Sequence, residues 1–277
     1  MKTIVKDPYG SSSEPHFRNI DQPNGGGFHP DADAEAVGNS PKRLARIAGV
    51  LYLLVGIFGG FALAYLYPKI YVAGDAAKTA GNLVANAGLV RLGVVADLVQ
   101  ATILVFLALT LYLLFKQVNK SVASAMVVLA TIGAGINCLN AVFEFEALRV
   151  ATGKLGSVAV DSVGSNALAL LLVDTQHYGV FVAQIFFGLW LAPMGYLAYK
   201  SRWFPKALGI LLILACGSYL VDLLAAFLVP DLGKAIHGFA GILPAIAEVW
   251  MAGYLLVIGV RTGTARPPAS VVQAATH

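Results

Sequence analysis

The sequence predicts an all-α fold: a polytopic integral membrane bundle of about six transmembrane helices, with both termini cytoplasmic. Of the 277 residues, 58% are hydrophobic and 12% are charged, whereas soluble domains carry about 25% charged residues. The hydrophobic residues concentrate in six segments. Each is long enough to cross about 30 Å of hydrocarbon at a helical rise of about 1.5 Å per residue.

The two ends of the chain differ in composition from the part between them. Residues 1–41 include SSSEP and QPNGGGFHPDADAE, and a stretch so rich in Gly, Pro, Ser and Asp buries too little apolar surface to fold. We therefore expect a disordered tail over 1–41, a six-helix transmembrane domain over 42–262 and a flexible tail over 263–277. The first residues contain no apolar signal-peptide core, so no cleavable signal is expected.

The six spans are predicted near 44–66, 90–115, 121–147, 176–199, 206–229 and 239–260. Two connections between them are longer than the others. The Ala-rich residues 68–89 predict a short amphipathic helix lying at the membrane interface. In 150–175 the piece ALALLLVD is too short to span, and it indicates either an interfacial helix or an early start of the fourth span.

Lysine and arginine residues set the expected orientation, because positively charged connections stay in the cytoplasm. One set lies mostly in short connections: Lys42, Arg43, Arg46, Lys116, Lys120, Lys200, Arg202, Lys206, Arg261 and Arg266. We expect this set to face the cytoplasm, in a multi-pass protein of the inner (plasma) membrane. The basic residues form no stripe with interleaved aromatics, which argues against a nucleic-acid partner. Membrane lipid is the expected surrounding.

Ionisable side chains fall at one depth of this topology. The outer halves of five different spans contain Asp97, Glu144, His177, Asp222 and Glu248. A charge in the hydrocarbon costs from about 3 to more than 10 kcal/mol, so such residues usually face the bundle interior or a water-filled cavity. The sequence therefore predicts a polar chamber in the outer half of the bundle that opens toward the outer face, above an inner half that is nearly pure hydrocarbon.

Helical spacing adds further polar residues to this chamber. Three of them share a helix face with an ionisable residue, at spacings of three, four or seven: Gln100, Asn140 and Gln184. Arg91 lies six residues before Asp97, so we expect any partner of Arg91 on another helix. If the acids are crowded, some must be protonated, bridged by Arg91 or neutralised by a cation. Glu146 and Arg149 are expected to pair at the interface.

Other features of the spans have simpler interpretations. Pro193 and Pro244 are expected to kink their helices, and the GxxxG pattern of Gly56 and Gly60 indicates close helix packing. His237 is expected at the membrane edge. The sequence has no HExxH or CxxC spacing, so no metal site is predicted, and no cofactor is indicated.

Several segments resemble the bacterial domain-of-unknown-function 4386 family. They include RIAGVLYLL (46–54), GDAAKTAGNLVANAGLVRLGVVADL (74–98) and PAIAEVWMAGYLLVIGV (244–260), and the resemblance extends over about residues 42–261. It implies a six-helix bacterial membrane protein and no particular activity. The residues that match the family pattern are Arg91, Asp97, Asp222 and Glu248.

Three classes of function are compatible with this chamber. The first is binding of a small molecule or a cation for transport or sensing, with the acids as proton or cation sites. The second is an intramembrane enzyme acting on a lipid or quinone, although no catalytic motif such as GxSxG is present. The third is a structural or regulatory protein whose polar residues only hold the helices together.

Overall fold

The computed structural model describes residues 41–154 and 161–261. In these residues it contains ten α-helices and a π-helical turn, and no strand. Six helical stretches are long and apolar enough to cross a membrane, here called spans 1 to 6: Pro41–Ile70, Ala87–Phe115, Lys120–Ala151, Ser162–Ser201, Lys206–Leu228 and Pro230–Val257. The predicted all-α, six-span bundle is thereby confirmed. The predicted tails lie outside the described residues, apart from Pro41, which begins the first helix.

Span 1 changes its helical geometry part-way across. It consists of α1 (Pro41–Gly60), a π-helical turn (Phe61–Leu66) and α2 (Tyr67–Ile70). In the turn, the backbone N–H of Tyr67 donates to the carbonyl of Ala62, five residues earlier. Pro68 follows directly and has no N–H to donate to an earlier carbonyl, so the regular α pattern cannot pass through this point.

The predicted short helix in 68–89 is present as α3 (Ala76–Ala85). The Asp75 carboxylate accepts a hydrogen bond from the Lys78 backbone N–H at 2.9 Å and so caps the helix. The same bond holds the pKa of Asp75 below its usual value. Thr79, Ala80 and Leu83 are buried on one face of α3, which packs against spans 3 and 4.

Spans 2 and 3 are the single helices α4 (Ala87–Phe115) and α5 (Lys120–Ala151). Span 4 consists of α6 (Ser162–Leu189) and α7 (Leu191–Ser201). The piece ALALLLVD belongs to α6, so the second of its two predicted interpretations, an early start of span 4, is correct. The side chain of Asp161 caps this early start by accepting from the Gly164 N–H at 2.9 Å.

Span 5 is α8 (Lys206–Leu228), and span 6 consists of α9 (Pro230–Ala240) and α10 (Ile242–Val257). Span 6 therefore begins earlier than the predicted residue 239. The helices α9 and α8 form an antiparallel pair that brings His237, within span 6, beside Asp222. That His237 lies at the membrane edge stays a prediction.

Both predicted proline kinks coincide with helix breaks. Pro193 follows the break at Trp190, and Pro244 follows the break at Gly241. The proline ring cannot donate to the carbonyl four residues earlier. At Pro244 that carbonyl belongs to Ala240, and it accepts a hydrogen bond from the Ser218 hydroxyl at 2.8 Å instead.

The spans form a ring in which each packs against the next along the chain, and α10 returns to α1. Spans 1 and 6 meet closely at Gly49, where a Cβ would come within 2.5 Å of the Leu256 backbone nitrogen. The predicted close contact at Gly56 and Gly60 is not formed, since nothing lies within 4 Å of a Cβ built at either glycine. Two apolar clusters fill the ring on either side of the polar residues.

The inner apolar cluster fills the half of the bundle that includes Leu107, Leu111, Met194 and Leu255. The outer apolar cluster includes Leu66, Ile70, Leu83 and Val173. At the end beside the inner cluster, the Arg261 N–H donates to the Trp203 carbonyl at 3.4 Å. The short connections rich in lysine and arginine share this end, here called the basic face. That the basic face is cytoplasmic remains a prediction.

Candidate functional site

A cavity of about 500 Å³ lies in the half of the bundle away from the basic face. We call it the chamber. Polar residues from all six spans line it or lie directly behind its wall. Those that line it are Tyr67, Asp97, Gln100, Asn137, Glu144, Gln176, His177, Gln184, Tyr219, His237 and Glu248. The structure thus brings together most of the residues that the sequence placed at one depth.

Asp97 and Glu144 are two buried acids that line the chamber and accept no hydrogen bond from the described residues. Their exposed fractions are 7% and 4%, and they come from α4 and α5. Within residues 41–154 and 161–261, no group donates a hydrogen bond to either carboxylate, and Glu144 Oε1 is buried without any partner. The two carboxylates lie close enough to repel each other electrostatically when both are charged.

Amide side chains lie on the same two helices as these acids. Asn137 Nδ2 donates to Gln100 Oε1 at 3.3 Å and joins α5 to α4. Asn140 is buried against Gly179 of α6, where a Cβ would clash with its amide. The Nδ2 of Asn140 has no partner among the described residues. Asn140 is one turn from Glu144 on the same helix face, as its spacing predicted.

Glu248, in contrast, has two protein donors. The Tyr52 hydroxyl donates to its Oε2 at 3.0 Å, and the Tyr219 hydroxyl donates to its Oε1 at 3.3 Å. The Tyr52 ring also contacts the Trp190 ring, with centroids 5.7 Å apart. These contacts form the floor of the chamber, next to the inner apolar cluster.

Asp222 lies directly behind the chamber wall and is likewise held by the protein. Gln184 Nε2 donates to Asp222 Oδ2 at 3.0 Å, and His237 Nδ1 lies 3.0 Å from the same oxygen. Sequence reasoning missed this role of His237. Pro230 could have indicated it, because proline is typical of the first position of a helix. A span 6 that begins at Pro230 places His237 opposite Asp222.

His177 sits in an aromatic stack at the outer edge of the chamber. Its ring centroid lies 5.5 Å from that of Tyr67 and 5.7 Å from that of Tyr71. The Tyr71 hydroxyl donates to Asp174 Oδ1 at 2.7 Å. Burial, together with this hydrogen bond, raises the pKa of Tyr71 above its usual value. The stack fixes the His177 ring in place.

Arg91 does not join the chamber, which corrects the expectation that it helps to neutralise the acids. Its side chain is exposed, and no lysine or arginine is among the residues that line the cavity. Arg149 does pair with Glu146, at 2.7 Å, as predicted, but this pair lies outside the chamber. The described residues contain no group of three or more His, Cys, Asp or Glu placed to hold a metal ion.

Comparison with known proteins gives the chain a family. The model of the family described as "Domain of unknown function (DUF4386)" matches residues 47–259. The chain belongs to this family. Part of this DUF4386 protein is also similar to a protein of Archaeoglobus fulgidus named "Uncharacterized protein", with 35% identity over 86 residues. That match covers 31% of the chain and 49% of the relative, so the chain spans about half the length of the relative. No solved structure matches the chain.

Proposed function

We propose that this DUF4386 protein binds a small cationic molecule in the chamber, as the recognition step of transport or sensing. The observation that supports this most directly is the pair of buried acids, Asp97 and Glu144, which have no donor among the described residues. Ionisable residues inside a membrane are costly, and they are retained mainly where they serve a function.

The chemistry of the chamber favours a positive charge. A buried carboxylate without a partner is expensive, and a cation or a protonated amine supplies both the missing charge and the missing hydrogen-bond donors. The residues that line the cavity include the carboxylates of Asp97, Glu144 and Glu248 but no lysine or arginine. Several aromatic rings also line it, and such rings attract cations through their faces. Its volume of about 500 Å³ lies within the usual range for small-molecule pockets.

The four acids thus divide into two pairs with different tasks. Glu248 and Asp222 are held by tyrosine, glutamine and histidine side chains, so they hold the walls of the chamber in position. Asp97 and Glu144 are left to meet the ligand. The inner half is packed with apolar side chains, so transport to the basic face would require the helices to rearrange, whereas sensing would not.

Ligand-dependent stability tests this proposal. Purified protein in lipid nanodiscs is melted with increasing butylamine, and 1-butanol serves as the uncharged control. A ligand at 100 times its Kd stabilises the folded state by about 2.7 kcal/mol. We expect butylamine to raise the melting temperature of the wild type and to have no such effect on the double variant Asp97→Asn/Glu144→Gln. Equal responses to butylamine and 1-butanol would contradict the proposal.

One observation favours a second candidate, an intramembrane enzyme acting on a lipid or quinone. Asp222 contacts His237 at Nδ1, an arrangement that fixes the ring and leaves Nε2 for general-base catalysis. His237 also lines the chamber. Incubation of the protein with labelled phospholipids and with a quinol tests this candidate. Turnover that His237→Gln abolishes would support it, and absence of turnover in the wild type would contradict it.

A further inference from the structure

We infer that the chamber is entered sideways from the bilayer, between spans 1 and 6, and that its ligand is an amphipathic amine whose apolar chain remains in this opening. The inference rests on the proposed cation-binding function and adds the route of entry and the class of ligand. We call the opening the lateral portal. It is bordered by Gly56, Gly60 and Leu63 on span 1 and by His237 on span 6.

The portal exists because spans 1 and 6 separate half-way across. In the inner half, α10 packs against α1 so closely that Gly49 has no room for a Cβ beside Leu256. Among residues 41–154 and 161–261, the hydrogen bond from Tyr52 to Glu248 is the outermost hydrogen bond between the two spans. Beyond it, α9 packs against α8 and α10, and the outer part of span 1 packs against span 2. The ring of helices is therefore open in its outer half.

The residues that border the portal are either glycines or have exposed side chains. Gly56 and Gly60 both line the chamber and are exposed, and a Cβ at either position would meet open space. Leu63 in the π-helical turn lines the chamber and is 64% exposed. On span 6, His237 lines the chamber while its side chain is 55% exposed. Each of these residues lines the chamber and also carries a large exposed surface, as expected at an opening.

The other two routes are blocked by packed apolar side chains. Towards the basic face, the inner apolar cluster closes the ring. Towards the opposite face, the outer apolar cluster packs span 1 against α3, α4, α5 and α6. An opening that leads sideways at this depth meets lipid, and the residues beside it fit lipid contact, since Phe239 is 75% exposed and Ile246 is 54% exposed.

The shape of this site selects the ligand. Its unpartnered acids, Asp97 and Glu144, require a positively charged head with hydrogen-bond donors. Its entrance is apolar and faces hydrocarbon, so the remainder of the ligand must prefer hydrocarbon to water. A protonated alkylamine has both properties. A hydrophilic cation shares the head chemistry but gains nothing from the portal.

The test compares the binding of dodecylamine and of butylamine to the protein in nanodiscs. The dodecylamine concentration is expressed per lipid, and 1-dodecanol is the uncharged control. The portal is obstructed in the double variant Gly56→Leu/Gly60→Leu, and Leu63→Trp provides a second obstruction that needs no repacking. Gly253→Leu is the matched control, because Gly253 is exposed on α10, does not line the chamber and has open space for a Cβ.

We expect dodecylamine to bind the wild type and Gly253→Leu equally well. Obstruction of the portal should weaken dodecylamine binding by at least about tenfold, as loss of a buried contact region does. Butylamine fits wholly inside, so its binding should persist in the obstructed variants. Unchanged dodecylamine binding in both obstructed variants would overturn the lateral portal and leave the proposed function standing. If the binding of neither amine depends on Asp97 and Glu144, both the lateral portal and the proposed function are overturned.

Discussion

The hydroxyl of Tyr52 on span 1 donates to the carboxylate of Glu248 on span 6 at 3.0 Å, at the level where the two helices separate. Between this bond and the basic face, the two spans pack backbone to backbone at Gly49. On the other side of the bond, away from the basic face, the chamber lies between the two spans. The bond therefore joins the packed half of the bundle to the half that forms the binding site.

Tyr52→Phe should destabilise the protein, because it removes one of the two donors to a buried carboxylate and leaves the packing of the ring unchanged. The expected loss is about 0.5–2 kcal/mol, the range for hydrogen bonds in proteins and between membrane helices. Thermal unfolding in nanodiscs measures it. Tyr199→Phe is the control, since Tyr199 is exposed at the end of α7. Equal melting temperatures for the two variants would show that the Tyr52 bond contributes nothing.

Gly49→Ala should be more harmful than Gly56→Ala, although both glycines lie on α1. A Cβ at Gly49 would come within 2.5 Å of the Leu256 backbone, whereas one at Gly56 would meet open space. Overpacking costs about 1–3 kcal/mol, while alanine in an open helical position gains up to about 1 kcal/mol over glycine. Thermal unfolding of both variants checks the difference, and a Gly56→Ala variant that melts first would contradict the described packing of spans 1 and 6.

Asp222→Leu should destabilise span 6 against span 5. The substitution removes the acceptor that Gln184 Nε2 and His237 Nδ1 share, and leaves Gln184 Nε2 only its bond to the Tyr219 carbonyl. Loss of a hydrogen bond costs about 0.5–1.5 kcal/mol. Hydrogen exchange of the α9 backbone should become faster in this variant. Asp231→Leu is the control, because Asp231 is exposed in the first turn of α9. Equal exchange of α9 in the two variants would argue against the Asp222 contacts.

Cysteine labelling tests the predicted orientation. After replacement of Cys138 and Cys216, the variants Lys78→Cys on α3 and Gln117→Cys between spans 2 and 3 place exposed thiols at opposite faces of the bundle. A membrane-impermeant maleimide added to intact cells should label Cys at 78 at once, and Cys at 117 only after permeabilisation, because the basic face is expected in the cytoplasm. The reverse labelling pattern would show that the basic face lies outside the cytoplasm.

Hydropathy alone sufficed to predict the six spans, because hydrocarbon thickness imposes a minimum apolar length. It also placed Asp97, Glu144, His177 and Glu248 at one depth, since depth follows from residue count along a helix. Helix starts were less predictable: span 4 begins at Ser162 among residues with weak helix propensity, and its start depends on the Asp161 cap.

Residue counting could not predict which side of each helix faces its neighbours. The rotation of each helix about its axis decides whether Arg91 faces the chamber or the surroundings, and packing against neighbours sets that rotation. The same holds for Gly56 and Gly60, whose GxxxG pattern fits a close helix contact, yet which border an opening. The partnership of His237 with Asp222 required the start of span 6 at Pro230.

The most direct test of the account is the stability of the ligand-free protein when its unpartnered acids are changed to amides. Asp97→Asn and Glu144→Gln should melt at or above the temperature of the wild type, because each change relieves the cost of a buried carboxylate without a donor. Glu248→Gln should melt lower, because two tyrosines lose a charged acceptor. If Asp97→Asn and Glu144→Gln fall as far as Glu248→Gln does, then the acids hold the bundle together and the ligand-binding account is contradicted.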